Sequence, residues 1–307
     1  MLFQSNSICP ICAAPGDGWC IAQDWEYRTS ADKYDYLKCP QCGTIFLREL
    51  EQVSLHSIYP PNYYSFSGKA SSTVFQLKDW WDRRFFRSLL KKLPFDSLAV
   101  LDVGGGTGEV LDTLKKADSR IEYTEIIDID SNAKSQAMVK GHVYCQTTIE
   151  NYTSHRQFHV ILLLNIIEHV ANPAEIIGHC GKMLAQGGII IIKTPNVDSL
   201  DARLFKHHYW GGLHCPRHWI LFSEFSLRTM VRSTNLQIRK LVYTQAAPFW
   251  VWSIINLARK KDIYQHKKPL IEHPLFGILS VFFAAFDIIR SSISKTSQMF
   301  IVLTGSE

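Results

Sequence analysis

The chain has 307 residues, 46% of them hydrophobic, with eight cysteines and a net charge of +5. That length is too great for one small domain and too short for two full ones, so a main domain with an accessory module is expected. The mild positive charge forms no basic stripe of the kind that grips nucleic acid, and no apolar run reaches the roughly 20 residues that a bilayer span needs.

Cys9-Pro10-Ile11-Cys12 and Cys39-Pro40-Gln41-Cys42 form two Cys-x-x-Cys pairs. Met1–Ile11 shows no secretory signal, so a reducing, cytoplasmic setting is expected, and paired motifs there point to metal. Each pair offers two thiolates from one tight turn. Two turns complete a tetrahedron, which predicts a closed, structural zinc site at Cys9, Cys12, Cys39 and Cys42. A redox dithiol is the alternative, disfavoured because neither pair opens a helix in a βαβ unit.

Residues 1–58 are therefore expected to form a zinc-binding knuckle domain, 59–97 a connector and helix, and 98–307 the main domain. Tyr59–Tyr64 reads as a stiff, proline-bearing connector. Leu77, Trp80, Trp81, Phe85 and Leu89 recur at helical spacing over Val74–Leu93, and Pro94 ends that helix. Strand and helix then alternate. Strands are expected at Leu98–Val103, Tyr123–Ile129, Phe158–Asn165 and Ile189–Lys193. Helices are expected at Glu109–Lys116, at Asn132–Lys140 and from Asn172-Pro173 to Gly187-Gly188. Such alternation with near-continuous apolar strands predicts an α/β fold, a parallel sheet covered on both faces. A loop rich in histidine and aromatic residues follows at His207–Trp219, then a helix at Ser223–Thr234 and a strand at Ile238–Thr244. A helical insertion is expected at about 245–295, and a last strand at Gln298–Leu303.

The glycine turn Asp102-Val103-Gly104-Gly105-Gly106-Thr107-Gly108 follows a strand and opens a helix. Glycine lets backbone approach a ligand, and the helix start presents free N–H groups. Spacing excludes a dinucleotide fingerprint, whose third glycine would fall on Glu109, and no Gly-Lys-Ser/Thr follows for a P-loop. The turn suits a ligand carrying an ammonium and a carboxylate, with Asp102 for the first and the loop amides for the second.

This segment resembles motif I of class I S-adenosylmethionine-dependent methyltransferases. Leu163–Val170 with Asn172-Pro173, and Gly187-Gly188 through Asn196, resemble later motifs of that family in order. The resemblance implies a Rossmann-like, doubly wound, mostly parallel sheet of seven strands, with a small zinc-ribbon-like domain before it. It implies S-adenosylmethionine held by Asp102, Gly104, Gly105, Gly106 and Gly108, and ribose hydroxyls on Asp128, with Asp130 a near alternative. Ile129 would pack on adenine, with Thr148 and Asn165 completing the cofactor contacts. The knuckles resemble the N-terminal domain of many sugar and polysaccharide methyltransferases, and similar ones occur on some ribosomal RNA methyltransferases. Tyr63 and Tyr64 are similar to tyrosines that close over the cofactor in the sugar enzymes.

Methyl transfer needs an aligned acceptor and, for oxygen, a base. His169, just past a strand's end, is the favoured base and His218 the alternative; His207, His208 and His214 read as surface or loop residues. The Glu168-His169 region also resembles the Glu-x-x-Glu-His segment of metal-assisted quinone O-methyltransferases, with Asn165 replacing the first acid. The expected acceptor is a small molecule: a sugar, glycan or related metabolite. An RNA base methyltransferase and a non-catalytic interaction protein are the alternatives. Arg259, Lys260, Lys261, Lys267 and Lys268 precede the apolar Leu275–Ile289. A lid or dimer helix is the favoured reading, and a peripheral membrane contact through 259–289 the other.

Overall fold

The computed structural model describes residues 7–48, 73–206, 209–261 and 274–306. A small antiparallel sheet comes first: β1 (Asp17–Ala22), β2 (Tyr34–Lys38) and β3 (Ile45–Leu47), joined at its edge by β9 (Ile220–Leu221) from far along the chain. The main sheet contains β4 (Leu98–Val103), β5 (Ile121–Asp128), β6 (Val143–Gln146), β7 (Phe158–Leu164), β8 (Leu184–Pro195), β10 (Leu236–Thr244) and β11 (Gln298–Gly305). Its spatial order is β10-β11-β8-β7-β4-β5-β6. The five strands β4 to β8 run parallel, while β11 is antiparallel to both β8 and β10. This is the expected Rossmann-like architecture.

Alternation along the central strands feeds two cores, as side chains point to opposite faces in turn. Leu98, Val100, Val160, Leu162, Ile189 and Ile191 pack on one face under α1 (Thr73–Leu90), α2 (Glu109–Ala117) and α3 (Ser131–Val139). Ala99, Leu101, Ile161, Leu163, Ile190 and Ile192 pack on the other, against α4 (Pro173–Lys182) and α6 (Glu224–Arg232). Burial on both sides explains why these strands lack polar alternation. The second core also takes in Leu37 and Phe46 of the small sheet with Ile220 and Phe222. The N-terminal module thus shares a core with the main sheet.

Several local expectations change. Trp80 and Trp81 are 48% and 55% exposed, and α1 buries Phe86, Leu89 and Leu90 instead. The helix after Asn172 ends at Lys182; Gly187-Gly188 lie inside β8, where Gly187 takes a left-handed turn at φ 81°. Asn172 occupies the cap position, but its amide bonds the Glu175 carboxylate, not the backbone. A strand, β6, joins the edge where none was expected, and its four residues are too few to show a period. The insertion holds two described helices, α7 (Ala247–Lys260) and α8 (Pro274–Arg290), plus a short α5 (Leu200–Leu204) before it. Arg259 is buried against the Trp25 and Glu26 carbonyls, so it is no surface anchor. Among the described residues, no helix is long and apolar enough to cross a membrane. Tyr63, Tyr64, His207, His208, Lys267 and Lys268 lie outside them.

Candidate active site

The glycine turn leaves the carboxyl end of β4, between β5 on one side and β7 on the other. Ligands bind at such switch points in open parallel sheets. Gly104, Gly106 and Gly108 have φ of 71°, 50° and 79°, a region that strains residues with a Cβ. Packing adds a second constraint. A Cβ on Gly104 would come within 2.2 Å of Ile166, and one on Gly108 within 2.4 Å of His142. Gly106 differs, because a Cβ there would meet no described residue within 4 Å. Open space therefore lies above the middle of the turn.

Two acids frame that space. The Gly106 N–H donates to Asp128 Oδ2 at 2.8 Å, and the Asp130 N–H donates to Asp128 Oδ1. Burial pushes the Asp128 carboxyl up, against those amides. Asp102 lies beneath Gly105, and its buried Oδ2 finds no hydrogen-bond donor among the described residues. Burial, and then the charge of Asp128, push Asp102 up to about 8. Such a group is satisfied by an arriving cation. Ile129 offers a 55% exposed apolar side chain beside them. Thr148 stands at the head of a short 3-10 turn, its Oγ1 accepting from Asn151. Asn165, at the end of β7, is left-handed at φ 56°, its Oδ1 accepting from Gln298. The residues expected at the cofactor site thus ring the carboxyl ends of β4, β5, β6 and β7.

A second cluster adjoins the β7 end. Glu168 is fully buried; its Oε2 accepts from Thr194 Oγ1 at 2.9 Å, while Oε1 lacks a donor and lies 4.0 Å from His218 Nε2. The rings of His169 and His218 stand 4.7 Å apart, edge to face. His169 Nδ1 meets the Arg217 carbonyl at 3.0 Å, and His218 Nδ1 meets the Gly212 carbonyl at 2.8 Å. A carbonyl only accepts, so both Nδ1 atoms carry the proton and both Nε2 atoms are the basic ones. Donor atoms of Glu168, His169 and His218 lie within 4.8 Å of one another, a spacing that suits a shared divalent cation or a single bridging water. Burial pushes Glu168 up to about 8. Burial and the nearby His214 bring His169 down to about 3, and burial holds His218 well below its usual value.

Both expected bases therefore meet in one place. Glu168, named in the sequence only through its likeness to a metal-assisted motif, is the acid that adjoins both rings. His214, read as a surface or loop residue, does lie in a turn, but a buried one. His214 is 6% exposed, with Nδ1 on the Glu26 carboxylate and its ring 5.0 Å from that of His218. Glu26 lies 188 residues earlier in the chain, and no spacing rule reaches that far.

In the N-terminal module, the Cys9, Cys12, Cys39 and Cys42 sulfurs all lie within 4.8 Å of one another, with Cys9–Cys42 at 3.5 Å and Cys12–Cys39 at 3.4 Å. A tetrahedron of Zn–S bonds of about 2.3 Å needs sulfurs some 3.8 Å apart, so the set fits zinc after slight expansion. The two turns match: Ala13 and Gly43, each following a second cysteine, are left-handed at φ 59° and 73°. Burial raises the Cys9 thiol, a cost that a bound dication offsets.

A family model described as a methyltransferase domain matches residues 79–241. The mitochondrial ubiquinone biosynthesis O-methyltransferase of Dictyostelium discoideum is 30% identical over 188 residues, 52% of this chain and 56% of that protein. The ubiquinone biosynthesis O-methyltransferase of Caulobacter vibrioides is 34% identical over 120 residues, 37% of this chain and 47% of that one. The chain thus spans about half the length of the curated relatives it matches. Among solved structures, an S-adenosylmethionine-dependent methyltransferase from Clostridium acetobutylicum aligns with a TM-score of 0.47 and 14% identity, over 75% of this chain and 92% of that one.

Proposed function

The chain belongs to the methyltransferase-domain family, and from that premise we propose that it transfers the methyl group of S-adenosylmethionine to a hydroxyl of a small-molecule acceptor. When bound, this cofactor supplies an electrophilic methyl on a sulfonium. The orphaned Asp102 carboxyl, the open space over Gly106 and the exposed Ile129 suit its ammonium, its chain and its adenine. Asp128 takes the ribose hydroxyls, and Thr148 and Asn165 line the pocket beside them.

The observation that carries the oxygen acceptor is the Glu168–His169–His218 cluster beside the glycine turn. An acceptor hydroxyl gives its proton to an Nε2 of His169 or His218; burial holds both rings neutral, so the transfer depends on the ionised Glu168 carboxylate stabilising the imidazolium formed. The relatives' printed names, ubiquinone biosynthesis O-methyltransferases, support an oxygen acceptor, and the knuckle module supports a sugar or related metabolite among candidates. A divalent cation on the same three donors is the second reading. It would lower the hydroxyl's pKa, and stimulation of the dialysed protein by added Mg²⁺ or Mn²⁺ would favour it.

The direct test is incubation with methyl-labelled S-adenosylmethionine and pools of phenols, sugars and nucleotide sugars, with RNA as a control. Label in a small molecule supports the proposal; label confined to RNA overturns it. Because Glu168 is held at about 8, its carboxylate appears only as pH rises through that value. Turnover should therefore climb between about pH 7 and 9, and Glu168→Gln should flatten the climb and lower kcat by about 100-fold.

Asp102 gives a second pH signature. It is protonated near pH 7, and a bound ammonium favours its charged form. Cofactor binding at pH 7 should then release close to one proton and tighten as pH rises toward 8. Calorimetry in two buffers of different ionisation enthalpy reads this directly, and Asp102→Asn should abolish the release.

A further inference from the structure

The loop between β1 and β2 reaches across to the histidine cluster. Asp24 holds Arg217 through two contacts, Nη2–Oδ2 at 2.8 Å and Nη1–Oδ1 at 3.2 Å, with both side chains fully buried. The same guanidinium stacks 4.5 Å over the Tyr27 ring. Burial works against the Asp24 charge, yet Arg217 keeps its carboxyl below the ordinary value. The main-chain carbonyl of this anchored Arg217 is the acceptor that orients His169.

Glu26 makes the parallel contact. Its carboxylate bonds His214 Nδ1, and the His214 ring lies between Tyr27, at 6.1 Å, and His218, at 5.0 Å. Arg259 pins the Glu26 main chain from α7 through its carbonyl. The module also grips the His218 backbone. The Tyr36 hydroxyl donates to the His218 carbonyl at 3.0 Å, and the Leu47 N–H donates to the Trp219 carbonyl at 2.9 Å. Pairing of Ile45 with Leu221 and of Phe46 with Ile220 extends the grip along β9. The main sheet holds the other side, where the Trp219 and Ile220 N–H groups donate to the Glu168 carbonyl.

We propose that Asp24, Glu26 and Tyr36 of the N-terminal module are positioning residues for methyl transfer, setting the rings of His169 and His218 against the acceptor through Arg217, His214 and the 218 carbonyl. The module is then part of the acceptor side of the active site, while the residues proposed for the cofactor lie, among the described residues, at the ends of β4 to β7. This rests on the reading of His169 and His218 as the proton-accepting pair. A buried carboxylate from another module is a costly way to tether a loop, since removing one partner strands the other. Orientation of a reacting group justifies it, because misplacement by about 1 Å costs on the order of 100-fold in rate.

The test uses the full zinc-loaded chain. Glu26→Ala should lower kcat about tenfold or more while the Kd for S-adenosylmethionine stays within about twofold. Glu26→Gln keeps an acceptor for His214 Nδ1 and should restore kcat to within about threefold of wild type. Tyr36→Phe removes a single hydroxyl without stranding a charge and guards against a misfolded Glu26→Ala; it should lower kcat severalfold. Ring ¹⁵N signals of His169 and His218 should shift in Glu26→Ala and Tyr36→Phe, and stay put in the exposed control Glu122→Ala. Unchanged ring signals and unchanged kcat in both variants overturn the proposal. So does a loss in Glu26→Ala that follows lost cofactor binding in proportion while Tyr36→Phe behaves as wild type. The ring signals need no turnover. Were the wild-type chain to bind cofactor and methylate no hydroxyl, the proposed function would fail while the coupling was still decided.

Discussion

Gly106→Arg should leave the chain folded and abolish cofactor binding. The two halves of this result have separate causes. At φ 50° a side chain costs about 1–2 kcal/mol of backbone strain, which lowers the melting temperature by a few degrees. Among the described residues nothing lies within 4 Å of the new Cβ, so the described core keeps its packing. The arginine instead extends into the space above the turn, and its bulk weakens cofactor binding by at least about 100-fold, or roughly 2.7 kcal/mol. Gly104→Ala is the contrasting control. Its Cβ would strike Ile166 at 2.2 Å, so it adds overpacking of about 1–3 kcal/mol to the same strain. Stability should fall more than affinity there. Calorimetric titration with S-adenosylmethionine beside thermal melts separates the two variants. Undiminished binding by Gly106→Arg would remove the cofactor assignment.

Removing zinc should stop methyl transfer while sparing cofactor binding. Elemental analysis should find one zinc per chain. Without the dication the buried cysteines revert to thiols and the bonds that tie the two turns together are lost; structural zinc sites contribute about 10–16 kcal/mol to folding in isolated peptides. Cys39→Ser opens the tetrahedron and should melt β1 to β3 at a lower temperature than the main sheet. The acceptor side loses its tethers with them, so activity should fall by at least about 100-fold. The glycine turn and Asp128 stand on β4 and β5, which are held by their own pairing with β7 and β6, so the cofactor Kd should change by no more than about threefold. A metal-free chain that is fully folded and active would refute the zinc site.

The sequence made the cofactor side legible because it is local. Asp102 to Gly108 and Asp128 to Asp130 sit within two strand–turn–helix units; spacing excluded a dinucleotide fingerprint and a P-loop, and the family resemblance supplied the two acids at the second strand. The cysteine knuckles were legible for the same reason. The acceptor side was half legible. His169 and His218 were named as alternatives, whereas their rings adjoin and share a buried acid. Glu168 stood out in sequence only as part of a Glu-x-x-Glu-His resemblance whose first acid is Asn165; its burial and its place beside both rings come from the fold. Asp24, Glu26 and His214 were beyond reach, since a pairing across 188 residues leaves no periodic trace. The errors in the fold have similar roots. Trp80 and Trp81 match the apolar face of a helix by period, yet that face turns outward where they stand. Gly187-Gly188 look like a helix stop and instead let β8 bend, where a Cβ on Gly188 would press two carbonyls at 2.9 Å.

The place of β11 bears on the order of assembly. Strand β10 is hydrogen-bonded to β11 alone, and β11 lies between it and β8. A growing chain therefore carries β8 with one side open and β10 without a partner until residues 298–305 leave the ribosome. The same nascent chain leaves the outer side of β3 bare until residues 220–221 arrive. For most of its synthesis the polypeptide thus displays unpaired strand edges, the surfaces by which chains stick to one another. Its yield in a cell should depend more on chaperone capacity during translation than on the stability of the finished fold.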